Sequence, residues 1–216
     1  MPLAAAHAAL AGQLAAAGRT AVARGLVVGS GGNLSARLPG AGELVVTAAG
    51  SWLDALSEDR FAVIGVDGTV RGGAATPTSE WRLHVESYRA RPDVNAVVHL
   101  HPQASVLLDA LGHPIRCITT DHVAYVDRVV STPFHPCGTQ ELAEVAAAAL
   151  ADANCVVLAH HGCSVVADSV ELALKRALNL EEAAALTYRA LLLGDAATEC
   201  PPAYREHLRR TAPGQH

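Results

Sequence analysis

Lysine is almost absent from this 216-residue chain; Lys175 is the only one, and arginine carries the rest of the basic charge. Carbonyl chemistry through a Schiff base would therefore depend on one residue, in the middle of a long helical pattern. The net charge is −5 and no basic patch or stripe stands out, which excludes a nucleic acid as the expected partner. Aromatic residues make up only 4%, and alanine is abundant instead, a composition that suits closely packed helices. No apolar run approaches the ~18 residues that a membrane span needs, so no membrane partner is expected. The five cysteines, Cys117, Cys137, Cys155, Cys163 and Cys200, are odd in number and contain no CxxC pair. That excludes a disulfide framework or a cysteine zinc site and points to reduced thiols in a cytoplasm. The stretch Met1–Ala17 is apolar but has no basic start, and reads as an amphipathic helix rather than a signal peptide.

What is present is enough for one hydrophobic core. No repeat, linker or charge block divides the chain, so 1–216 is predicted to be a single domain. Its body runs from Leu3 to Gly194, and a loose tail with Pro201, Pro202 and Pro213 follows from about 195. Helices are predicted over 3–24 and Ser79–Ala90, the second ended by Arg91-Pro92. A further helix begins at Pro102 and stops at Gly112. Another runs from a Thr139 cap to about Ala151, and a long one starts at an Asp168/Glu171 capping box and ends at Gly194. Strands are predicted at Leu44–Thr47, Phe61–Val66, Val94–Leu100, Ile115–Thr119, Val126–Thr132 and Cys155–Ala159, with Val165-Val166 continuing beyond the turn. Strands and helices intermingle, which indicates a layered α/β domain.

Two of the buried strands end in histidines. His99 and His101 stand two apart, so in a strand they share one face and can reach one ion. A second apolar strand runs into His160-His161-Gly162. Three histidines and an open position suit a catalytic zinc ion, and other divalent transition metals are compatible with nitrogen donors. Spacing by itself does not separate this reading from polar strand ends facing solvent, nor His160 from His161. Glu80, after Pro77-Thr78-Ser79, suits a helix start electrostatically whether or not a metal lies beside it. Three small-residue segments offer anion donors: Gly31-Gly32-Asn33-Leu34-Ser35, Thr47 to Ser51, and Thr78-Ser79 at a helix N-terminus. Each alone is also an ordinary turn or cap. His84 reads as a packed or surface helix residue.

Taken in order, several segments resemble the class II aldolase/adducin family, most of all its branch acting on ketose 1-phosphates such as L-fuculose 1-phosphate. They are Gly32-Asn33-Leu34-Ser35-Ala36-Arg37, Val46-Thr47 through Gly50, Thr78-Ser79-Glu80-Trp81-Arg82, Arg91-Pro92-Asp93-Val94-Asn95-Ala96-Val97-Val98-His99-Leu100-His101, Gly138-Thr139-Gln140-Glu141-Leu142 and His160-His161-Gly162. The match spans roughly 3–194. It implies a three-layer α/β/α fold with a mixed, mostly antiparallel central sheet. It implies metal ligation by His99, His101 and His161, with Glu80 as ligand or base, and one Zn²⁺ per subunit. It places Asn33, Gly50, Thr78 and Ser79 around the phosphate of a small sugar phosphate, and Gly32 and Ser51, beside them in the same small-residue segments, complete the expected phosphate site. It also implies a homotetramer with sites at subunit boundaries.

The chain departs from the family pattern in places. Ala49 stands where threonine is frequent, removing one hydroxyl, for which Ser51 is the substitute at hand. Cys137 replaces an aromatic residue. Thr120 falls where the aldolases carry a tyrosine, and the stretch from Thr119 to Tyr125 instead resembles sugar-phosphate 4-epimerases, which use an aspartate in this region. Asp121 and Tyr125 are therefore both candidates for the catalytic acid, with Tyr204 a further tyrosine in the tail. The expected activity is reversible aldol cleavage to dihydroxyacetone phosphate and an aldehyde. A 4-epimerase or a sugar-acid phosphate decarboxylase on the same fold are the alternatives, and a non-enzymatic adducin-like module is a third.

Overall fold

A computed structural model describes residues 3–211. Eight strands form one sheet: β1 (Asn33–Ala36), β2 (Glu43–Thr47), β3 (Phe61–Gly65), β4 (Val70–Gly73), β5 (Ala96–Leu100), β6 (Val129–Thr132), β7 (Cys155–Leu158) and β8 (Gly162–Ala167). Their order across the sheet is β4-β3-β2-β1-β5-β8-β7-β6. Every neighbouring pair is antiparallel except β6 and β7. Among the described residues the six α-helices are α1 (Ala5–Ala23), α2 (Trp81–Ala90), α3 (Gln103–Ala110), α4 (Gln140–Leu150), α5 (Val170–Leu192) and α6 (Pro202–Thr211).

Helices cover both faces of the sheet, and this explains why β5, β7 and β8 are buried along their whole length. On one face, Leu14 and Ala21 of α1 and Ala173, Ala177 and Leu180 of α5 pack on Leu34, Val45, Val98 and Val165. On the other, Leu83 and Tyr88 of α2 and Leu142, Ala146 and Leu150 of α4 pack on Val46, Val97, Val156 and Val166. Alternation along β5 sets which layer each of its side chains meets: Ala96, Val98 and Leu100 face α1 and α5, so Val97 and His99 face α2. The architecture is the expected three-layer α/β/α arrangement with a mostly antiparallel sheet. Among the described residues, no helix is long and apolar enough to cross a membrane.

Four local expectations are corrected. Ile115–Thr119 is not a strand: the Arg116 N–H bonds Thr187 Oγ1, the Cys117 carbonyl accepts from Cys200 N–H, and the N–H groups of Ile118 and Thr119 both donate to His122 Nδ1, so its partners come from α5, the tail and the turn that follows it. The strand expected from Val126 begins at Val129, because His122–Val126 form a π-helical turn closed by Asp127 in a left-handed conformation (φ 56°). The cap of α5 is Ser169, whose Oγ accepts from Leu172 N–H, rather than Asp168. The segment expected as a loose tail carries α6, which lays Tyr204 and Leu208 against the core and pairs Arg205 with Asp127. Pro213, part of the expected tail, lies outside the described residues, as does Met1.

All five cysteines are free thiols, and only Cys137 is exposed. Burial pushes the Cys155 thiol up to about 12 and raises Cys117 and Cys163 as well, so these thiols stay protonated and unreactive. Titration of the folded chain with a chromogenic disulfide reagent should show one fast thiol, Cys137, and five after denaturation. Loss of the fast phase on Cys137→Ser checks the assignment; two or more thiols reacting at that rate would contradict this packing.

Candidate metal centre and its anion cavity

The sheet register assembles the first part of the centre. His99 lies opposite Asn33 of β1 on one side and Ser164 of β8 on the other. His101 comes directly after β5, where its N–H bonds Leu26 O. The β7–β8 turn contains His160 in a left-handed conformation (φ 57°) and exposed, and this turn carries His161 inward. Glu80 arrives from the other layer, at the N-cap of α2. The three imidazole centroids stand 4.9, 4.9 and 5.1 Å apart.

Two glycines make room for this packing. A Cβ on Gly162 would lie 2.4 Å from Leu100 O and 2.7 Å from His101 Cδ2, and one on Gly31 would lie 2.9 Å from His101 Nδ1. Both distances to the imidazole are shorter than side chains tolerate, so glycine is required at each position by close approach.

The donor atoms of Glu80, His99, His101 and His161 all lie within 4.8 Å of one another. Glu80 Oε2 is 3.1 Å from His99 Nε2, Glu80 Oε1 is 3.4 Å from His161 Nε2, and His99 Nε2 is 3.0 Å from His101 Nε2. Tetrahedral coordination with ~2.0–2.1 Å bonds sets donor atoms ~3.3 Å apart. These three separations match that spacing. His99 Nδ1 donates to Cys163 O at 2.9 Å. A carbonyl only accepts, so the proton sits on Nδ1 and the Nε2 lone pair points into the cluster.

Electrostatics agree with this arrangement. Burial pulls His101 down to about 4, with His99 and His161 adding to the effect against Glu80. Burial likewise lowers His161. These rings are therefore neutral lone-pair donors at neutral pH. Burial alone would raise Glu80; His99 and His161 in their protonated forms, whose positive charge a bound cation would supply in their place, and the hydrogen bond from Asn33 overcome it and hold the carboxyl well below its ordinary range. Glu80 Oε1 and His161 Nδ1 are buried without a hydrogen-bond partner. A carboxylate, three imidazoles and an unsatisfied inward oxygen form a donor set that could hold a divalent transition metal.

Beside the cluster lies a cavity of about 180 Å³. Gly32 and Asn33, Gly50 and Ser51, and Thr78 and Ser79 all line it, together with Glu80 and His101. The three weak anion motifs of the sequence thus converge on one space next to the candidate metal position. The helix start at Ser79 and Glu80 turns the positive end of α2 toward it. Ser51 Oγ is buried and has no partner, consistent with a hydroxyl reserved for a ligand.

Asp121 and Tyr125 are not brought here. They lie at the π-helical turn packed against α5, where Tyr125 comes near Lys175, and neither lines the cavity. Tyr204 stacks on His207 in α6 and is also outside it.

Sequence reading also missed a buried polar group behind Glu80. His84 and Ser35 are fully buried and Tyr88 nearly so. Asn33 Nδ2 donates to Glu80 Oε2 at 2.9 Å, and Asn33 Oδ1 meets His84 Nε2 at 2.5 Å. His84 Nδ1 meets Ser35 Oγ at 2.7 Å, and Ser35 Oγ meets Tyr88 Oη at 2.9 Å. A signal was available: Glu80, His84 and Tyr88 recur every four residues and share a helix face, while Asn33 and Ser35 alternate on a strand.

Known proteins carry the same arrangement of sequence and fold. The family described as Class II Aldolase and Adducin N-terminal domain matches residues 12–188. The L-fuculose phosphate aldolase of Methanococcus maripaludis (strain C5) is 31% identical over 172 residues, covering 80% of this chain and 92% of that protein. The 3-oxo-tetronate 4-phosphate decarboxylase of Escherichia coli (strain K12) is 35% identical over 177 residues, covering 80% and 81%. A solved structure of L-fuculose 1-phosphate aldolase superposes with a TM-score of 0.86 at 25% identity, covering 96% of this chain and 98% of that one. With its sequence matched over most of its length and its fold shared with solved members, the chain belongs to the class II aldolase/adducin family.

Proposed function

We propose that this chain is a metal-dependent aldolase that reversibly cleaves a ketose 1-phosphate, such as L-fuculose 1-phosphate, to dihydroxyacetone phosphate and an aldehyde. The observation that carries this reading is the adjacency of the Glu80–His99–His101–His161 cluster to a cavity lined by small anion-binding residues. In this reading His99, His101 and His161 hold Zn²⁺, the divalent ion best suited to three imidazoles and an open position. When bound, the ion supplies Lewis-acid stabilisation of the negative charge that develops on the substrate's carbonyl oxygen.

The chain's own residues do the rest. Ser51, Thr78, Ser79 and the backbone around Gly32 and Gly50 grip the phosphate, with one N–H of Asn33 available beside them. Glu80, with Oε2 tied to Asn33 and Oε1 unpartnered, takes and returns the proton at the carbon next to the carbonyl. The acid that serves the aldehyde oxygen comes from a neighbouring copy in a homotetramer; the placement of Asp121, Tyr125 and Tyr204 away from their own chain's cavity supports this. Lys175 pairs with Glu171 on the exposed surface, and a charged surface lysine does not suit Schiff-base chemistry.

A second reading has a specific observation in its favour. Decarboxylation of a 3-oxo-acid phosphate uses the same stabilisation of charge beside a carbonyl and needs no acid for a departing aldehyde. A relative 35% identical to this chain is named as such a decarboxylase.

A panel of ketose 1-phosphates and 3-oxo-acid phosphates, with product analysis and metal content measured on the same sample, tests both readings. Aldehyde and dihydroxyacetone phosphate are expected; carbon dioxide instead would select the second reading. Dialysis against a chelator should abolish turnover, and stoichiometric Zn²⁺ should restore it, while borohydride has no effect. Glu80→Gln should keep its fold by circular dichroism and lose ~10²- to 10⁴-fold in kcat. Near-normal turnover would remove Glu80 as the base. Ser51→Ala should raise KM for the phosphorylated substrate by ~10-fold or more, as expected for one hydrogen bond to a charged group, with kcat little changed. An unchanged KM would remove Ser51 from the phosphate site.

A further inference from the structure

The buried group behind Glu80 has a direction, and donor and acceptor counting fixes it. A carboxylate only accepts hydrogen bonds, so Asn33 must turn Nδ2 toward Glu80 Oε2 and Oδ1 away from it. Asn33 Oδ1 is itself an acceptor, so the His84 Nε2 facing it must carry a proton. His84 is fully buried; desolvation, with a further contribution from His99 against Glu80, lowers it to about 3, and the ring is neutral. Its Nδ1 is then a lone pair, which Ser35 Oγ–H fills. Having given its only proton, Ser35 Oγ accepts from Tyr88 Oη–H. Four hydrogen bonds therefore point the same way, from Tyr88 through Ser35, His84 and Asn33 to Glu80. The far end is anchored: the Arg37 guanidinium sits 4.5 Å from the centre of the Tyr88 ring, and Arg37 is itself held by the carbonyls of Val94, Arg91 and Pro92.

We propose that His84 is a positioning residue: held as its Nε2–H tautomer by Tyr88 and Ser35, it locks the Asn33 amide onto Glu80 Oε2 and leaves Oε1 as the one carboxylate oxygen free for the ion or the substrate. The proposal rests on the reading of Glu80 and the three histidines as the metal centre, and it adds how that carboxylate is aimed. If His84 carried its proton on Nδ1 instead, Ser35 would have to accept from it and Nε2 would confront Asn33 Oδ1. The amide would then be repelled or forced to flip, and Glu80 would lose its donor. A neutral tautomer thus sets the orientation of a carboxylate it does not touch. Asn33 also lines the anion cavity, and its amide carries a second N–H, so the same lock sets the donor offered to a phosphate.

The test uses the full chain with Co²⁺ as a spectroscopic probe, and with Zn²⁺ for magnetic resonance. Long-range ¹H–¹⁵N correlation spectra should assign His84 as the Nε2–H tautomer; an Nδ1–H tautomer would overturn the proposal. His84→Leu should weaken Co²⁺ binding by ~10- to 100-fold, the usual cost of losing a group that orients a ligand, and shift the visible absorption bands. His84→Gln, whose side-chain N–H can reach toward Asn33 Oδ1, should recover most of that affinity and spectrum. A merely structural role would lower thermal stability in both variants without separating their Co²⁺ spectra. Should His84→Leu fail to fold, Ser35→Ala and Tyr88→Phe carry the test, since each should let the Nδ1–H tautomer appear in the spectra. Wild-type Co²⁺ affinity and spectrum in folded His84→Leu, or an unchanged tautomer in both relay variants, would overturn it. Turnover is not among these readouts, so a chain with the expected tautomer and Co²⁺ response but no activity on sugar phosphates would sink the aldolase reading alone.

Discussion

The ionised carboxyl of Glu80 is the interaction on which the site depends. Burial alone would favour its neutral form, and three groups oppose that: His99 and His161, through the positive charge they carry when protonated and that a bound cation would supply in their place, and the Asn33 amide. Each comes from a different part of the fold. His99 comes from the centre of the sheet, His161 from the β7–β8 turn, Asn33 from the edge of β1, and the carboxyl itself from the start of α2. The charge is stable only when four elements meet, so the site is a property of the assembled domain and not of any one motif. A buried charge that lost its partners would cost several kcal/mol, which makes the centre a strong constraint on sheet register.

That constraint explains features that otherwise look unrelated. A one-residue slip of β5 would turn His99 toward α1 and α5 and leave its imidazole in an apolar layer. Gly162 and Gly31 keep the imidazoles close, since either Cβ would collide with His101. Cys163, opposite Leu100, is used through its carbonyl, which fixes the His99 tautomer, while its thiol is buried and inert. The two imidazole–amide systems, His99 on Cys163 and His84 on Asn33, do the same work from opposite sides: each fixes a proton on one nitrogen so that the next atom points correctly.

Much of this was legible in the sequence, and the limits have physical causes. The apolar alternation of β5 and its two histidines could be read because side chains alternate across a strand. The choice of His161 over His160 turned on a left-handed backbone at His160, a conformation that no periodic pattern specifies for a histidine. The Glu80–His84–Tyr88 stripe was visible, but a polar stripe on a helix means little until its partner is known. Here the partner is Asn33 and Ser35, some 50 positions away, and only the pairing of β1 with β5 brings them under α2. Ile115–Thr119 has strand-like composition, yet its hydrogen-bond partners are the side chains of Thr187 and His122 and the segment before α6. Composition cannot show that a tail will return to claim those groups.

The same geometry bears on which bond the protein breaks. The cluster and cavity would stabilise negative charge beside the carbonyl of a bound phosphate ester, and that step is common to aldol cleavage and to loss of carbon dioxide. The two reactions differ at the departing group. An aldehyde leaving or returning must lose or gain a proton at its oxygen, whereas carbon dioxide departs without one. Asp121, Tyr125 and Tyr204 lie away from the cavity of their own chain. In the proposed reading, aldol chemistry therefore needs a group from a second copy, and decarboxylation does not. Assembly and reaction type are then linked: a substitution that dissociates the copies without disturbing the metal centre would suppress aldehyde formation while leaving proton exchange by Glu80 intact. A decarboxylase would show no such separation in this reading, because no departing aldehyde oxygen calls for a group from the second copy.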